Sequence, residues 1–482
     1  MVQPRSDRIN LKKICAAILV GYIFLMVSFY FLAGHQLRFR DSRGDVDMPS
    51  ATSGSVELVS GATVEQTFTT EIQRIEQISV QWGTYGHQNA GTAVVEVYNL
   101  NNHSLLMSKK VDVAKITERS VTVLSANQPI EGLCNVPLMI RITSPDSVTG
   151  GAVSPMMSLE GVKDGYRLSL NGKPVNGTLC FSATGEDYIW IGLHYWQFVL
   201  AFGFLLLLYL LSFLSKVKKG KRSLLLNVMV AVKKYRFLIH QLVSRDFKTK
   251  YKRSVVGVLW SFLNPLLTMI IQYIVFSTIF KANISNYPVY LLTGIVMFNY
   301  FSEACGMTLT SILSNASLIT KVYVPKYIYP LSRVLSSAVN LLISLIPLMC
   351  VVVFTGVTVT PAYLLIIFPL CCLIVFCMGL GMLLASSMVF FRDTQFLWGV
   401  LSMIWMYATP IFYPESILPQ QFSFVLKINP LYYFIKFART CILNGVSPEP
   451  MMYVQCALFA LGMLAIGAVM FKKSQDKFIL YI

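Results

Sequence analysis

Eight stretches of the 482-residue chain are long and apolar enough to predict membrane-spanning helices. The first, Ile14 to Ala33, follows a short basic segment, a pattern typical of a signal anchor whose N-terminus stays in the cytoplasm. The others lie at 193–214 and near 256–280, 288–311, 334–355, 362–390, 395–413 and 451–471. This pattern predicts an α-helical integral membrane protein with both termini cytoplasmic.

Residues 35–192, between the first two predicted spans, follow a different pattern. Apolar and polar residues alternate there in short runs such as 78–82 and 93–98, which are separated by clusters of Gly, Asn, Ser and Pro. Alternation of this kind predicts strands joined by turns. We therefore expect an all-β domain outside the cytoplasm, a jelly-roll-like sandwich inserted after the anchor segment 1–34 and before the second span, 193–214.

Residues 215–255 form a basic segment that joins the second span to the remaining six. Thirteen Lys and Arg residues lie between Lys216 and Arg253 with a single acid, Asp246. Because Lys and Arg in short loops resist translocation, the segment is predicted to be cytoplasmic. Apolar residues recur in it at helical spacing: Val228, Val232, Tyr235, Ile239 and Leu242. This stripe predicts a helix in the membrane interface and fits either a plain anchor or a docking platform for a cytoplasmic partner.

Composition and charge support this topology. The chain is 55% hydrophobic and 13% charged, with a net charge of +17 and a mean hydropathy of +0.60. The predicted cytoplasmic segments hold 24 Lys and Arg but four acids, whereas residues 35–190 hold 12 Lys and Arg and 16 acids. The basic balance therefore indicates orientation and argues against nucleic acid as a partner.

The predicted outer domain contains two candidate features. One is a loop that mixes aromatic and polar groups, which makes carbohydrate contacts conceivable, although most such loops are structural. Its candidate residues are Trp82, Tyr85, His87 and Asn89. The other is the pair Cys134 and Cys180, the two cysteines of the domain, which an oxidising compartment would allow to form a disulfide.

Within the predicted spans, aromatic residues recur every seven positions, at Phe391, Trp398, Trp405 and Phe412. On one continuous helix such residues share a face, and sugar rings can slide over aromatic rings, so the stripe is a candidate channel lining. Helix packing or an interfacial belt is the alternative. Glu303 lies inside a span, where a charge is costly; it could line the same path or pair with a basic side chain.

The segment 315–333 is predicted to bend at the membrane surface. Pro325 and Pro330 forbid a continuous helix through it, and Lys321 and Lys326 place it on the cytoplasmic side. The simpler interpretation of the same residues is a turn at the membrane interface with no further function.

From Leu238 onward, the order of these features resembles the permease subunit of an ABC-2-type exporter of cell-surface polysaccharide, such as O-antigen or teichoic acid. The resemblance covers about residues 225–482. The segments that carry it are Leu242–Tyr251, Gly257–Trp260 with Asn264–Pro265, Leu318–Arg333, Phe390–Asp393, Thr409–Tyr413 and Asn429–Leu431. Residues 1–214 are an addition to the common short form of this family.

The resemblance implies a six-span core in residues 256–482 and a bacterial inner-membrane dimer with two separate ATPase subunits, which hold ATP and Mg²⁺. A lipid-linked polysaccharide would pass outward between the two copies. The implied ATPase-coupling residues are Arg245, Asp246, Lys248, Lys250, Tyr251, Leu318, Lys321, Tyr323, Pro325 and Lys326. Re-entrant helices within 415–450 would form an outer gate, with Asn429, Pro430, Tyr432, Tyr433 and Phe434 as its candidate residues.

The sequence predicts a transporter subunit and no enzyme, with no catalytic residue, metal site or cofactor of its own. The candidate phosphate-binding dipeptide, Gly220-Lys221, is followed by Arg222 where the motif requires Ser or Thr. Transport energy would therefore come from the partner. The alternative function is a chain-length regulator or co-polymerase, which suits two spans around an outer domain but does not need six further spans.

Overall fold

The computed structural model describes residues 11–86, 89–159, 163, 165–219, 224–252, 257–280, 286–322, 324–417, 419, 421 and 423–481. The chain divides into two compact units, Arg38–Tyr195 and the combination of the residues up to Leu37 with those from Trp196 onward. The first of these is called the β unit and the second the helical unit.

The β unit contains two antiparallel sheets. Its strands are β1 Phe39–Val46, β2 Ser53–Gly54, β3 Thr63–Phe68, β4 Arg74–Gly83, β5 Thr92–Asn99, β6 Ser104–Asp112, β7 Val121–Glu131, β8 Leu138–Thr143, β9 Ser154–Ser158, β10 Arg167–Leu170, β11 Lys173–Val175, β12 Thr178–Leu179 and β13 Phe181–Tyr188. One sheet has the order β1-β13-β4-β9-β12, with β7 also paired to β4 and β2 to β9. The other has the order β11-β10-β3-β8-β5-β6.

Alternating burial explains why these residues form strands. In β3, Val64 and Phe68 are buried, whereas their neighbours are partly exposed. Ile78 of β4 and Ile140 of β8 come from different sheets and belong to one hydrophobic core. The predicted all-β region is therefore confirmed, while the jelly-roll assignment stays a prediction.

The helical unit is built mainly of long helices. Its helices, with one short helix of the β unit, α2, are α1 Leu11–Ala33, α2 Trp190–Leu193, α3 Tyr195–Lys218, α4 Leu224–Tyr251, α5 Leu259–Phe280, α6 Tyr287–Leu309, α7 Ala316–Lys321, α8 Ile328–Phe354, α9 Ile367–Phe390, α10 Thr394–Ala408, α11 Ser423–Ile428, α12 Pro430–Arg439, α13 Pro450–Ser474 and α14 Phe478–Tyr481. A π-helical turn, Thr440–Asn444, follows α12 directly.

Six helical stretches in the described ranges are long and apolar enough to cross a membrane. They are Leu11–Leu37, Tyr195–Lys218, Leu259–Ser277, Ile328–Phe354, Pro361–Phe390 and Pro450–Tyr481. All six coincide with predicted spans. The other two predicted spans correspond to α6, which is buried along most of its length and carries Glu303, and to α10, which has 15 residues.

Helices α9 and α13 cross at a glycine on each side. A Cβ atom added to Gly467 would overlap the backbone carbonyl of Gly379, and one added to Gly379 would overlap the backbone at Met463. Small residues allow two membrane helices to approach this closely. The pair therefore packs backbone against backbone.

A hydrophobic cluster, called here the α4 cluster, joins α4 to the ends of several other helices. Its buried members are Leu242, Ile312, Ile319, Ile328, Tyr329, Ala385, Val389, Phe471 and Phe478. Tyr235 and Ile239 pack against it as well. The described part of the predicted stripe thus faces protein, and its position in the membrane interface stays a prediction; the side chains of Val228 and Val232 lie outside what the structure describes.

Candidate functional site

The candidate site lies where α4 meets the connection between α6 and α8. Leu242 of α4, Ile312 and Ile319 of that connection, and Phe478 of α14 share the α4 cluster. The two segments in which the sequence predicts coupling residues, 245–251 and 318–326, are therefore brought to the same end of the helical unit.

Asp246 is buried in this region, with 4% of its side chain exposed. Its Oδ1 atom accepts hydrogen bonds from Nε and Nη2 of Arg245, at 3.2 and 3.1 Å, and lies 3.1 Å from Nη1 of Arg333 in α8. Arg245 Nη2 also donates to Oδ1 of Asn315 at 3.4 Å. A buried carboxylate is tolerated when cations compensate it. Asp246 is consequently an internal contact, which corrects its predicted exposure to a partner.

Lys250, one helical turn beyond Asp246, makes a second connection from α4. Its Nζ atom lies 2.9 Å from both carboxylate oxygens of Glu303 in α6, and Asn340 of α8 donates to Glu303 Oε1 at 2.6 Å. Tyr251 donates to Asn340 Oδ1 at 2.9 Å and also contacts Ser261 Oγ of α5. Of the two roles predicted for Glu303, pairing with a basic side chain is the one that these contacts favour.

The connection between α6 and α8 contributes both internal and exposed residues. Lys326 donates to the Gln475 carbonyl and lies 5.7 Å from the ring centroid of Phe478, so it binds the C-terminal segment. Leu318 packs against the α4 cluster, and Pro325 is half-buried. Lys321 is exposed at the end of α7. Tyr323 lies outside the described residues.

An open groove of about 700 Å³ runs along the last three turns of α4. It is lined by Gln241, Ser244, Arg245, Phe247, Lys248, Thr249, Tyr251 and Lys252. Lys248 and Lys252 are exposed and extend its positive charge, and Lys321 is exposed at the same end of the unit. These three lysines are called here the basic surface. The basic surface lies at the end of the helical unit that also holds the buried Asp246–Arg333 pair and the partly exposed Lys250–Glu303 pair.

The opposite end of α6 contacts α12, the helix in which most of the outer-gate residues are predicted. Asn429 caps α12 by accepting from the Leu431 N–H at 3.1 Å. It also accepts from Trp405 Nε1 at 2.8 Å and donates to Thr409 Oγ1 at 2.8 Å, so it ties α12 to the end of α10. Pro430 occupies the first helical position, which suits its missing N–H.

The remaining predicted gate residues divide between core and surface. Phe434 is fully buried and Tyr433 nearly so, in the main core of the helical unit. Tyr432 donates to Glu415 at 2.9 Å, and Lys436 pairs with the same carboxylate at 2.9 Å. These contacts connect α12 to the segment that follows α10.

Arg439, at the end of α12, is a buried residue that the sequence reasoning missed. Its guanidinium donates to the carbonyls of Tyr290, Pro410 and Ile411 at 2.7 to 3.2 Å and lies 3.3 Å from the Tyr290 ring centroid. The signal available in the sequence was an arginine in an otherwise apolar and aromatic segment. Arg333, whose partner is Asp246, was placed in the predicted loop but without a role.

The predicted aromatic channel stripe does not occupy one helix face. Helix α9 ends at Phe390 and α10 covers 394–408, so Phe391 and Phe412 lie outside α10. Trp398 and Trp405 do share α10, but both pack edge-to-face on Phe301 of α6. Phe412 is buried and stacks on Phe276. Trp398, Trp405 and Phe412 thus pack within the subunit, which corrects the channel assignment, and Phe391 is exposed.

Of the residues predicted for carbohydrate contact in the β unit, Trp82 is corrected, and the role of the others stays a prediction. Trp82 has 0% exposure within β4, and its indole N–H donates to Thr122 at 2.8 Å, so it is a core residue. Tyr85 is exposed and Asn89 half-buried, while His87 lies outside the described residues. Glu118 accepts from the N–H and hydroxyl of the neighbouring Thr84, which holds the pKa of Glu118 below its ordinary value.

Cys134 and Cys180 are both free thiols in the structure. Cys134 is exposed in the loop after β7, whereas Cys180 is fully buried between β12 and β13. Burial raises the pKa of the Cys180 thiol to about 11. The predicted disulfide is therefore not formed, and Cys180 acts as a small core residue.

Comparison with known proteins gives a consistent result for the helical unit. Residues 238–443 match the family described as ABC-2 type transporter. The O-antigen export system permease protein RfbA of Klebsiella pneumoniae is 32% identical over 211 residues, 43% of this chain and 81% of that protein. RfbA of Myxococcus xanthus is 30% identical over 51% of this chain and 95% of that protein. The polysialic acid transport protein KpsM of Escherichia coli is 23% identical over 49% of this chain and 93% of its own length.

Proposed function

Because this chain belongs to the family of ABC-2 type transporters, whose members are membrane subunits of transporters, we propose that it is the permease of a polysaccharide exporter. Its substrate would be a lipid-linked cell-surface polysaccharide of O-antigen type, carried across the bacterial inner membrane. The names of the related proteins, which include O-antigen export system permeases and a polysialic acid transport protein, support this substrate class.

The observation that carries the coupling part of the proposal is the basic surface beside the α4 ion pairs. Lys248, Lys252 and Lys321 are exposed at the end where α4 and the α6–α8 connection meet. A partner that hydrolyses ATP must reach both elements to move them. We infer that a separate ATPase subunit, present in two copies and holding ATP and Mg²⁺, docks on this surface.

The proposed topology has eight spans, with both termini in the cytoplasm and residues 35–192 outside. The six long apolar helices provide most of these spans. Helix α6 can carry Glu303 because its neighbours bury most of its length and Lys250 pairs with the carboxylate. The excess of Lys and Arg in the predicted cytoplasmic segments supports the orientation.

The proposed channel lies between two copies of the chain. Helices α5 and α10 both present exposed apolar faces, including Ile271 and Ile274 of α5 and Phe396 and Met403 of α10. Such faces suit lipid or a second copy. This interpretation replaces the aromatic stripe, whose residues are used mainly for packing within one subunit.

The proposal is tested by co-purification of the chain with its ATPase and by a glycan export assay in the producing cell. Replacing Lys248, Lys252 and Lys321 by Gln should lower both ATPase recovery and export several-fold. A control that removes equal charge, Lys216, Lys218 and Lys219 to Gln, should leave both unchanged, because these exposed residues lie at the end of α3. Equal effects of the two triple variants would contradict docking at the basic surface.

The same assay separates export from the alternative function. A chain-length regulator would alter the length distribution of the surface glycan while export continued. Complete loss of surface glycan, with accumulation inside the cell, on deletion of the gene supports the permease. A changed length distribution alone would favour the regulator.

A further inference from the structure

We propose that the pair Asp246–Arg333 is a mechanical latch that makes α8 follow the movement of α4 during transport. The inference rests on the proposed function and adds a positioning role to it. Asp246 was expected to touch the ATPase, but its burial and its partner assign it to the inside of the subunit.

The geometry of α4 separates two faces at this level. Asp246 and Lys250 are four residues apart and lie on one face, from which they reach Arg333 and Glu303. Lys248 is two residues from Asp246, a rotation of roughly 200° around the helix axis. The exposed lysines therefore point away from the bundle while the acid–base contacts point into it. A push on the lysine face is transmitted through the opposite face of the same helix.

The two contacts on the bundle face differ in how firmly they hold. Asp246 and Arg333 are 4% and 19% exposed, whereas Lys250 and Glu303 are 41% and 29% exposed. Water and salt weaken the second pair more than the first, because exposed charges are screened. The buried pair, which joins α4 to α8, is thus held more firmly than the exposed pair, which joins α4 to α6.

The residues around Asp246 also determine which other elements would follow a movement of α4. Arg333 donates to Ser314 at 3.3 Å, and Asn315, which accepts from Arg245, donates to the Ser311 carbonyl at 2.8 Å. The latch thereby includes the turn at the end of α6. Movement of α4 would be passed to α8 directly and to α6 through this turn.

The test uses the full chain with its ATPase, reconstituted and in the producing cell. The variants are Asp246→Asn, Arg333→Gln and the double variant. Each single change should lower export at least tenfold while the ATPase still co-purifies and still hydrolyses ATP. Export by the double variant should be no lower than export by the less active of the two single variants, because both changes remove the same ion pair.

Matched controls are Asp393→Asn and Arg392→Gln, the same substitutions at exposed neighbouring positions between α9 and α10. Both should export normally. The proposal is overturned if Asp246→Asn loses the ATPase as the basic-surface variant does, if export is unchanged, or if the two losses multiply in the double variant.

A variant that does not accumulate in the membrane is replaced by a second neutral one, Asp246→Ser or Arg333→Met. Normal assembly and hydrolysis with lost export would support the latch, while normal export would contradict it. Failure of these variants to accumulate would make the pair a folding contact and would also overturn the proposal. Absence of export by the wild-type chain in the same assay would instead contradict the proposed function.

Discussion

The two ends of α6 are fixed by different kinds of polar contact. At the α12 end, Arg439 donates to backbone carbonyls of Tyr290, Pro410 and Ile411. At the α4 end, the carboxylates of Asp246 and Glu303 pair with side chains of other helices, Arg333 and Lys250 respectively. Backbone acceptors cannot move without moving the chain segment that carries them, whereas side-chain ion pairs can change partner or lengthen.

This difference implies that α6 is held rigidly at its α12 end and adjustably at its α4 end. The α12 end, which contains the predicted outer gate, is tied to α6 by Arg439 through a backbone carbonyl, whereas the Lys436–Glu415 pair ties α12 to the segment after α10. The α4 end, beside the basic surface, is tied by charges that a docking partner can strengthen, weaken or pull. The adjustable contacts are thus located where the proposed ATPase would act.

The largest effect is expected for Arg439→Gln. The shorter neutral side chain cannot reach three carbonyls, and each buried acceptor left without a donor costs about 1–3 kcal/mol. Thermal unfolding in detergent should show a loss of roughly 3 kcal/mol or more on this basis. Lys427→Gln, at an exposed position of α11, is the control, and an equal melting temperature for both variants would contradict a tied α12 end.

A smaller loss is expected for Phe29→Ala in α1. Phe29 packs edge-to-face on Tyr453 at a centroid distance of 5.0 Å, and Tyr453 packs on Phe437 of α12 at 4.6 Å. Loss of the aromatic pair should cost about 0.5–1.5 kcal/mol, in addition to the loss of its buried area. Phe24→Ala, the same change at a position of α1 that is 68% exposed, should have little effect.

The result decides whether the added first span supports the α12 end. If Phe29→Ala and Phe24→Ala unfold at the same temperature, α1 is an anchor with no part in the gate.

Trp405→Phe removes one hydrogen bond from the α12 end. The indole N–H donates to Asn429, and its loss should cost about 1 kcal/mol. Trp398→Phe is the matched control, because Trp398 packs on the same Phe301 ring. Unfolding of both variants in denaturant gives the comparison, and an equal change in the two would exclude a special role for the bond to Asn429.

The smallest effect is expected for Lys250→Gln at the α4 end. This pair is partly exposed, and such pairs contribute about 0–1 kcal/mol. Because salt screens it, the stability difference from wild type should shrink when NaCl is raised to about 0.5 M. A loss that is large and independent of salt would remove the contrast between the two ends.

Much of the architecture could be predicted because its signals are local. Apolar runs located the long helices, and alternation located the strands. Trp82 shows how the same rule was underused: Ile78, Val80 and Trp82 alternate in β4 and all point into the core. The predicted run 78–82 already held Trp82 in phase with Ile78 and Val80, and assigning its ring to a loop ignored that phase.

The site itself depends on contacts that sequence spacing does not report. The heptad of aromatic residues assumed one helix from Phe391 to Phe412, but the turn at Arg392-Asp393 and the break at Thr409-Pro410 leave α10 too short. Asp246 and Arg333 lie in different helices, and their pairing is a property of the tertiary packing. A charge count located this region and could not distinguish its buried residues from its exposed ones.

The contact between Gly379 and Gly467 gives a frame of reference for these movements. Backbones that touch leave no side chains between them to rearrange, so we expect α9 and α13 to keep one spacing. If α4 and α8 move during a transport cycle, α9 and α13 would form the fixed axis relative to which they move. Any residue larger than glycine at either position would force the axis apart and misalign both ends at once.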